Sequence, residues 1–509
     1  MRRWQIKLLV ILGVAVIGIS AFWYNLQYTD VDMYTAMFAD HCGDCHGEDM
    51  RGTETGVALI ERRLESGDTV AAMMHSIRSS HAEGGLPAFQ NLNEDQIKGL
   101  AIYVGERRLG QKFEDFRFYR PVAIPEGTVS SAEHDFQFEI VAQNLDPLSF
   151  SIEPLPGGFM LLTEKERGVS IISPDGEQSV LIKETPETGD NSHQVRGIYF
   201  GLGWLLDIAL HPLYEDNGWI YLHYTHLCED CGDAGLFSAA TMNRLDRGRI
   251  RDGSWVDVEN LWQAPPETYT SMPDTSAGGR IAFDNEGHVF FSVGMKEPLA
   301  FSSQELDSPH GKIHRINDDG SIPADNPFVV SGNADTEKAI QSIWTYGHRS
   351  PQGLEWNAER GTAWNTEMGP RGGDEVNELL PGKNYGWPFH SLGLEYTGFT
   401  VARHELQDIE FDTKEVEMTL VDFTPSPALS SFVFYDGNRF PNWQGNVLLG
   451  TLKGSSVYRL VFDGNQLIDR EILFKDVARV RDIEVGYDGL VYLLLENEAG
   501  SMIVRLVPA

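Results

Sequence analysis

The chain has 509 residues, a formal net charge of −35 and a pI near 4.7. That is enough for more than one ordinary domain, and a 41% hydrophobic share supplies a sizeable core. So acidic a surface repels nucleic acid and anionic lipid headgroups, which removes nucleic-acid binding from the functions to consider and suits a cationic partner.

Arg2, Arg3 and Lys7 precede an apolar run from Leu8 to Tyr24, and Trp23 with Tyr24 ends it at interface depth. Residues 1–29 therefore read as a transmembrane anchor. Its positive flank keeps the N-terminus in the cytoplasm and sends the rest across the bacterial inner membrane to the periplasm. A signal peptide cleaved near Gly18-Ile19-Ser20 is the competing reading; the aromatic end and the lack of Ala-x-Ala favour the anchor. Both imply export.

Cys42-Gly43-Asp44-Cys45-His46 follows, the attachment signature of a c-type haem. Cys42 and Cys45 would add to the haem vinyl groups, and His46 would be the proximal iron ligand. A structural zinc site needs a second ligand pair, and none follows nearby. A redox CxxC and a chance match compete less well with haem, given the residues around the motif. Tyr34, Met37 and Phe38 lie before it, Gly47 directly after it, and Leu86-Pro87-Ala88-Phe89 further on. With these residues the segment resembles class I cytochrome c, which implies a small all-α domain over about residues 30–110. Asn93 should cap its last helix, with Ile97, Leu100, Ala101 and Val104 at helical spacing and Arg107 and Arg108 closing the last turn. In that family a methionine stands before Pro-Ala-Phe, where this chain has Leu86, and leucine cannot ligate iron. The iron is thus either five-coordinate or takes a substitute among Met73, Met74, His75 and His81, of which His81 is nearest and is the candidate sixth ligand.

Residues 111–135, with Pro121, Pro125 and Gly127, read as a linker. From residue 136 to 509 a glycine turn followed by an apolar strand recurs. The turns end in Gly158, Gly218, Gly287, Gly361, Gly445 and Gly489, and each precedes a period-2 segment. Six such units point to a mainly β fold, a six-bladed β-propeller, over a two-sheet sandwich. Phe138–Val141 can pair with Ile503–Leu506 to close the ring. Cys228 and Cys231 form a second CxxC without a following histidine; a local disulfide is the first reading and a metal site the second.

Several stretches of this region match a known family: LLDIALHP at 205–212, HGKIHRINDDGSIPADNPF at 310–328, YGHRSPQG at 346–353, GPRGGDEVN at 369–377 and GKNYGWP at 382–388. They resemble the PQQ-dependent aldose sugar dehydrogenases, the glucose/sorbosone dehydrogenase family. The resemblance implies a propeller holding pyrroloquinoline quinone beside calcium, oxidising a sugar or polyol and passing electrons on, here to the fused cytochrome and then to a respiratory-chain acceptor. By motif match, Arg349, Lys453, Arg479 and Arg481 would bind the PQQ carboxylates, and the carbonyls of Gly369 and Pro370 would bind calcium. A planar tricarboxylate quinone needs such cationic donors, and its carbonyl needs a hard cation. The alternative for the arginines is a set of loop-bracing ion pairs.

Around the catalytic position the chain departs from the family. Ser276 stands at the place of the family's histidine base, and a lone serine is a poor proton acceptor. Leu202 and Ser350 replace a glutamine and an asparagine, and Leu420 and Phe423 replace a tyrosine and a tryptophan. The segment GMKE at 294–297 replaces an acidic loop. His310 and His348 are the candidate substitute bases. Two functions follow from these opposed signals. The first is a membrane-anchored oxidoreductase with haem c and PQQ; the second is a catalytically degenerate propeller serving as a binding module on a cytochrome.

Overall fold

The computed structural model describes residues 32–79, 91–112, 115–195, 198–231, 239–296, 300–329, 340–401 and 413–509. It divides into two compact units: one runs to Asp68 and takes in Ala72–Phe116 and Gln194–Ile198, and the other holds Thr69–Ala71, Arg117–His193 and Tyr199–Ala509. The expected anchor over 1–29, His81 and Leu86 lie outside the described residues. Among the described residues no helix is long and apolar enough to cross a membrane.

The smaller unit is helical, with α1 (Met33–Phe38), α2 (Val70–Ser79) and α3 (Glu94–Arg108). Asp32 caps α1 by accepting the Tyr34 amide at 3.1 Å. The helix then widens to a π-helical stretch, Ala39–Gly43, and Asp44–His46 returns to α-helix before Gly47 ends it at φ 75°. Tyr34 and Phe38, one turn apart on α1, are both buried and face α3. Phe38 meets Tyr103 at 5.8 Å between ring centroids, while Tyr34 lies where a side chain on Gly99 would be. Asn93 and Gln96 cap α3 reciprocally, each side chain bonding the other's amide.

The larger unit is a six-bladed β-propeller. Its innermost strands are β1 (Ser149–Pro154), β2 (Leu205–Leu210), β3 (Gly278–Phe283), β4 (Pro351–Asn357), β5 (Leu429–Phe434) and β6 (Arg479–Val485). Each lies beside the next, and β6 returns to β1, so the six form a closed ring. Each pairs antiparallel with a second strand, and the six glycine turns foreseen from the sequence are the turns between them. All six glycines have positive φ, between 68° and 88°, a region that other residues enter only at a cost. The last blade is completed from the other end of the propeller segment: Asp135–Leu145 pairs with Ser501–Pro508, Phe138 opposite Leu506 and Glu139 opposite Arg505. Apolar side chains pack between blades. Phe291 of the third blade, for example, stacks on His314 at 5.0 Å and meets Trp262 of the second at 5.0 Å. Cys228 and Cys231 are disulfide-bonded at the end of the second blade's second strand.

Candidate functional site

The strand arrangement decides which side chains meet. All six inner strands start at one end of the ring, and each antiparallel second strand finishes there. Residues just before or at the start of an inner strand therefore gather with residues just after a second strand. Leu202, Ser276, Arg349, Ser350, Arg479 and Arg481 belong to the first set; Gly369, Pro370 and Lys453 belong to the second, which also contains Lys165 and Lys296. The expected quinone-site residues thus share one end of the channel.

Four cations there are buried: Arg349, Lys453, Arg479 and Arg481 are 8%, 4%, 7% and 6% exposed. Arg479 and Arg481 share Glu496, at 3.0 and 2.7 Å. Burial by itself would raise the Glu496 carboxyl, but Arg481, Arg479 and Lys165 outweigh it and hold it at about 2. Part of the expected anion-binding set is thus also an internal ion pair. Arg349 differs. Its amide bonds the Glu367 carboxylate, its Nη1 donates to the Met368 carbonyl at 3.1 Å, and its guanidinium lies over Trp387 at 5.2 Å. Its Nε is buried with no hydrogen-bond partner. A charged donor left over in a dry site suits an acceptor supplied from outside.

The catalytic side of the site is organised around Asp274. Ser276 is half-buried at the end of the turn Asp274–Ser276. Asp274 forms a buried ion pair with Lys296 at 2.7 Å and accepts the Gly203 amide and the Thr225 and Thr241 hydroxyls. This one carboxylate ties together the loops that carry Leu202, Ser276 and the 294–296 segment, three of the places where the sequence departs from the family. Burial lowers the Lys296 ammonium, partly offset by Asp274. Of the substitute bases, His348 is fully buried between Thr345 at 2.9 Å and Glu367 at 2.8 Å, which makes it a brace for the Arg349 loop. His310 is held at about 3 by burial, reinforced by Lys296 and Lys312. Leu420 and Phe423 pack between the fourth and fifth blades, with Phe423 against Tyr458 at 5.2 Å and under Arg470 at 3.7 Å.

In the Gly369–Asp374 turn the Gly369 amide donates to Asp374 at 3.0 Å, and burial pushes that carboxyl up to about 7. Among the described residues no three His, Cys, Asp or Glu side chains are placed to hold a metal ion. Gly369 and Pro370 could offer backbone oxygens only.

Further along the inner strands the channel turns acidic. A cavity of about 240 Å³ is lined by Glu153, Asp207, Glu355, Asp482 and Glu484 with one cation, Arg280. Arg280 pairs with Asp482 at 2.7 Å and Asp207 at 3.2 Å. Burial and their mutual repulsion push Glu153 and Glu484 well above the usual carboxylate range, and Glu355 as well.

In the smaller unit Cys42 and Cys45 are unpaired thiols. The Nδ1 of His46 lies 2.7 Å from the Val57 carbonyl, which fixes that nitrogen as the protonated one and leaves Nε2 to bind. Thr53 holds the Cys45 carbonyl at 2.6 Å.

Sequence reasoning missed Lys165, Lys296, Asp274 and Glu496. Position could have found the lysines, since each lies just after a second strand, as Lys453 does; nothing in the composition of those segments marks them.

The larger unit is thus a closed six-bladed propeller with buried cations gathered at one end of its channel. The Glucose / Sorbosone dehydrogenase family model matches residues 146–505, and the chain belongs to that family. It is 33% identical over 306 residues to the aldose sugar dehydrogenase YliI of Escherichia coli, covering 60% of this chain and 77% of that protein. It is 24% identical over 417 residues to quinoprotein glucose dehydrogenase B of Acinetobacter calcoaceticus, covering 68% and 82%. The crystal structure of the soluble aldose sugar dehydrogenase of E. coli in its apo form matches with a TM-score of 0.62 at 28% identity, covering 74% of this chain and all of that one. A separate match, 32% identical over 89 residues, is to cytochrome c6 of Chlorolobion braunii and covers 16% of this chain and 98% of that protein.

Proposed function

We propose that the propeller is a PQQ-dependent dehydrogenase of sugars or polyols, and that the smaller unit is a c-type cytochrome that receives its electrons. The buried Arg349, with its unpartnered Nε, carries this reading. Arg349, Lys453, Arg479 and Arg481 would hold the cofactor's carboxylates. Gly369 and Pro370 would offer backbone oxygens to a calcium ion, which would polarise the reactive carbonyl. When bound, the quinone accepts the two electrons taken from the substrate carbon. The chain itself must take up the hydroxyl proton, and Ser276 is a weak acceptor for it. Slow turnover is therefore expected, with Ser276 and Arg349 as the residues flanking the reaction. Resemblance to class I cytochrome c, the cytochrome c6 match and the fixed His46 ring support haem at Cys42 and Cys45, with iron on His46 and His81 the candidate sixth ligand. The N-terminal apolar run and the Cys228–Cys231 disulfide favour a protein anchored in the bacterial inner membrane and facing the periplasm, delivering electrons to the respiratory chain.

Titration of the purified protein with PQQ, with and without calcium, tests the reading directly. Saturable binding strengthened by calcium is expected, and absence of binding would overturn it. In that case the second reading stands, a binding module that keeps its fold without turnover. The Lys296–Asp274 pair favours it, because it ties a lysine to the turn that carries Ser276. Haem should survive denaturation and acid-acetone extraction, and Cys45→Ser should impair its retention.

A further inference from the structure

Three cations converge on the ring of Phe150, near the start of the first inner strand. Arg280 lies 4.6 Å, Arg481 5.5 Å and Lys165 5.5 Å from the centre of Phe150. Arg280 is compensated by Asp207 and Asp482, and Arg481 by Glu496. Lys165 is only 6% exposed, rests over Trp204 at 4.6 Å and has no carboxylate within ion-pair distance among the described residues. A lysine is rarely buried without a partner, because removing its charge from water is expensive. Here it also sits beside two like charges, so structure alone gives no reason to keep it.

We propose that Lys165 is a further cationic anchor at the channel mouth, forming with Arg481 a recessed site for a carboxylate of the bound cofactor. That the carboxylate is the quinone's rests on the PQQ reading; the anion site does not. The groups facing Lys165 are Arg481, Glu496 and Arg479 on the last blade and Glu166 beside it in its own loop. Burial, then Arg481, lowers its ammonium to about 7, with Glu496 opposing. Above neutral pH the empty site therefore holds largely neutral Lys165. An arriving carboxylate restores the charge, and one proton moves from buffer to the lysine Nζ.

Calorimetric titration of the full-length protein with PQQ at pH 8, in two buffers of different ionisation enthalpy, reads that proton. Wild type should take up close to one proton per PQQ. Lys165→Met should bind at least tenfold more weakly with no uptake. Lys165→Arg, always charged, should bind within a few-fold of wild type, also with no uptake. A merely structural lysine would leave Lys165→Met less stable without ligand; the anchor reading expects this variant to melt higher at pH 7. Wild-type affinity and uptake in Lys165→Met would overturn the proposal while leaving the PQQ reading intact. If wild type binds no PQQ, citrate becomes the probe in thermal melts. Stabilisation of wild type but not of Lys165→Met keeps the anion site and removes the quinone; stabilisation of neither removes both.

Discussion

Glu496 is where the chemistry of single residues most directly sets stability. Its folded value of about 2 lies below the ordinary glutamate value of about 4.3, so its ion pairs contribute fully above about pH 4 and are lost as pH falls through 2. The difference corresponds to about 3 kcal/mol. Glu496→Gln leaves Arg479 and Arg481 buried without their shared carboxylate, and should cost about 3–5 kcal/mol at pH 7. Urea unfolding at several pH values checks this, since the gap to wild type should narrow between pH 4 and pH 2. A gap constant across that range would mean the pair is not ionised as described. Lys165 has the opposite sign. Its folded value lies below the free lysine value of about 10.4, so its penalty is fully present below pH 7 and fades as pH rises towards 10. Ser276→His supplies an imidazole at the expected base position. It should raise the rate of sugar oxidation by about 10²-fold or more, with PQQ affinity nearly unchanged. An unchanged rate would show that the proton leaves by another residue.

At the scale of elements, α1 and α3 touch because Gly99 has no side chain. A Cβ there would fall 1.8 Å from Tyr34 Cζ, inside its covalent volume. Gly99→Ala should therefore separate the helices at a cost of about 1–3 kcal/mol, despite alanine's better helix propensity. A thermal melt followed by far-ultraviolet circular dichroism at the helical signal would read this, and a stabilised variant would contradict the packing. The strands were largely legible from the sequence. Each glycine turn marked the junction of an inner and a second strand, and Phe138–Val141 was recognisable as a partner for the last strand. Asn93 was legible as a cap because capping is local. The pairing of Lys296 with Asp274 was not, since these residues flank the two ends of the third blade's first hairpin and meet only once Gly278 pairs with Val293. Arg479 and Arg481 are matched to a binding role by motif, while their common partner Glu496 is set by the register of the last hairpin, where it stands opposite Arg479.

Across the whole propeller the channel is electrically polar, with Lys165, Arg349, Lys453, Arg479 and Arg481 at one end and Glu153, Glu355 and Glu484 further down. The field along the axis favours an anion at the mouth and repels one from the depth, which orients any ligand carrying its carboxylates on one edge. Glu355→Gln should therefore leave affinity for PQQ within a few-fold of wild type, whereas Arg349→Met should reduce it by about 10²-fold, as expected for losing charge-assisted bonds. Equal losses from both, measured by the same calorimetric titration, would argue against a polar channel.

The strand Asp135–Leu145 waits for a partner from the far end of the propeller segment. Its contact with Arg505 reaches back over 366 residues to Glu139, and until Ser501–Pro508 emerges the ring has two unpaired edges. Arg479, Arg481 and Glu496 lie in the blade that this pairing completes, so closing the ring and assembling part of the cationic mouth are one event.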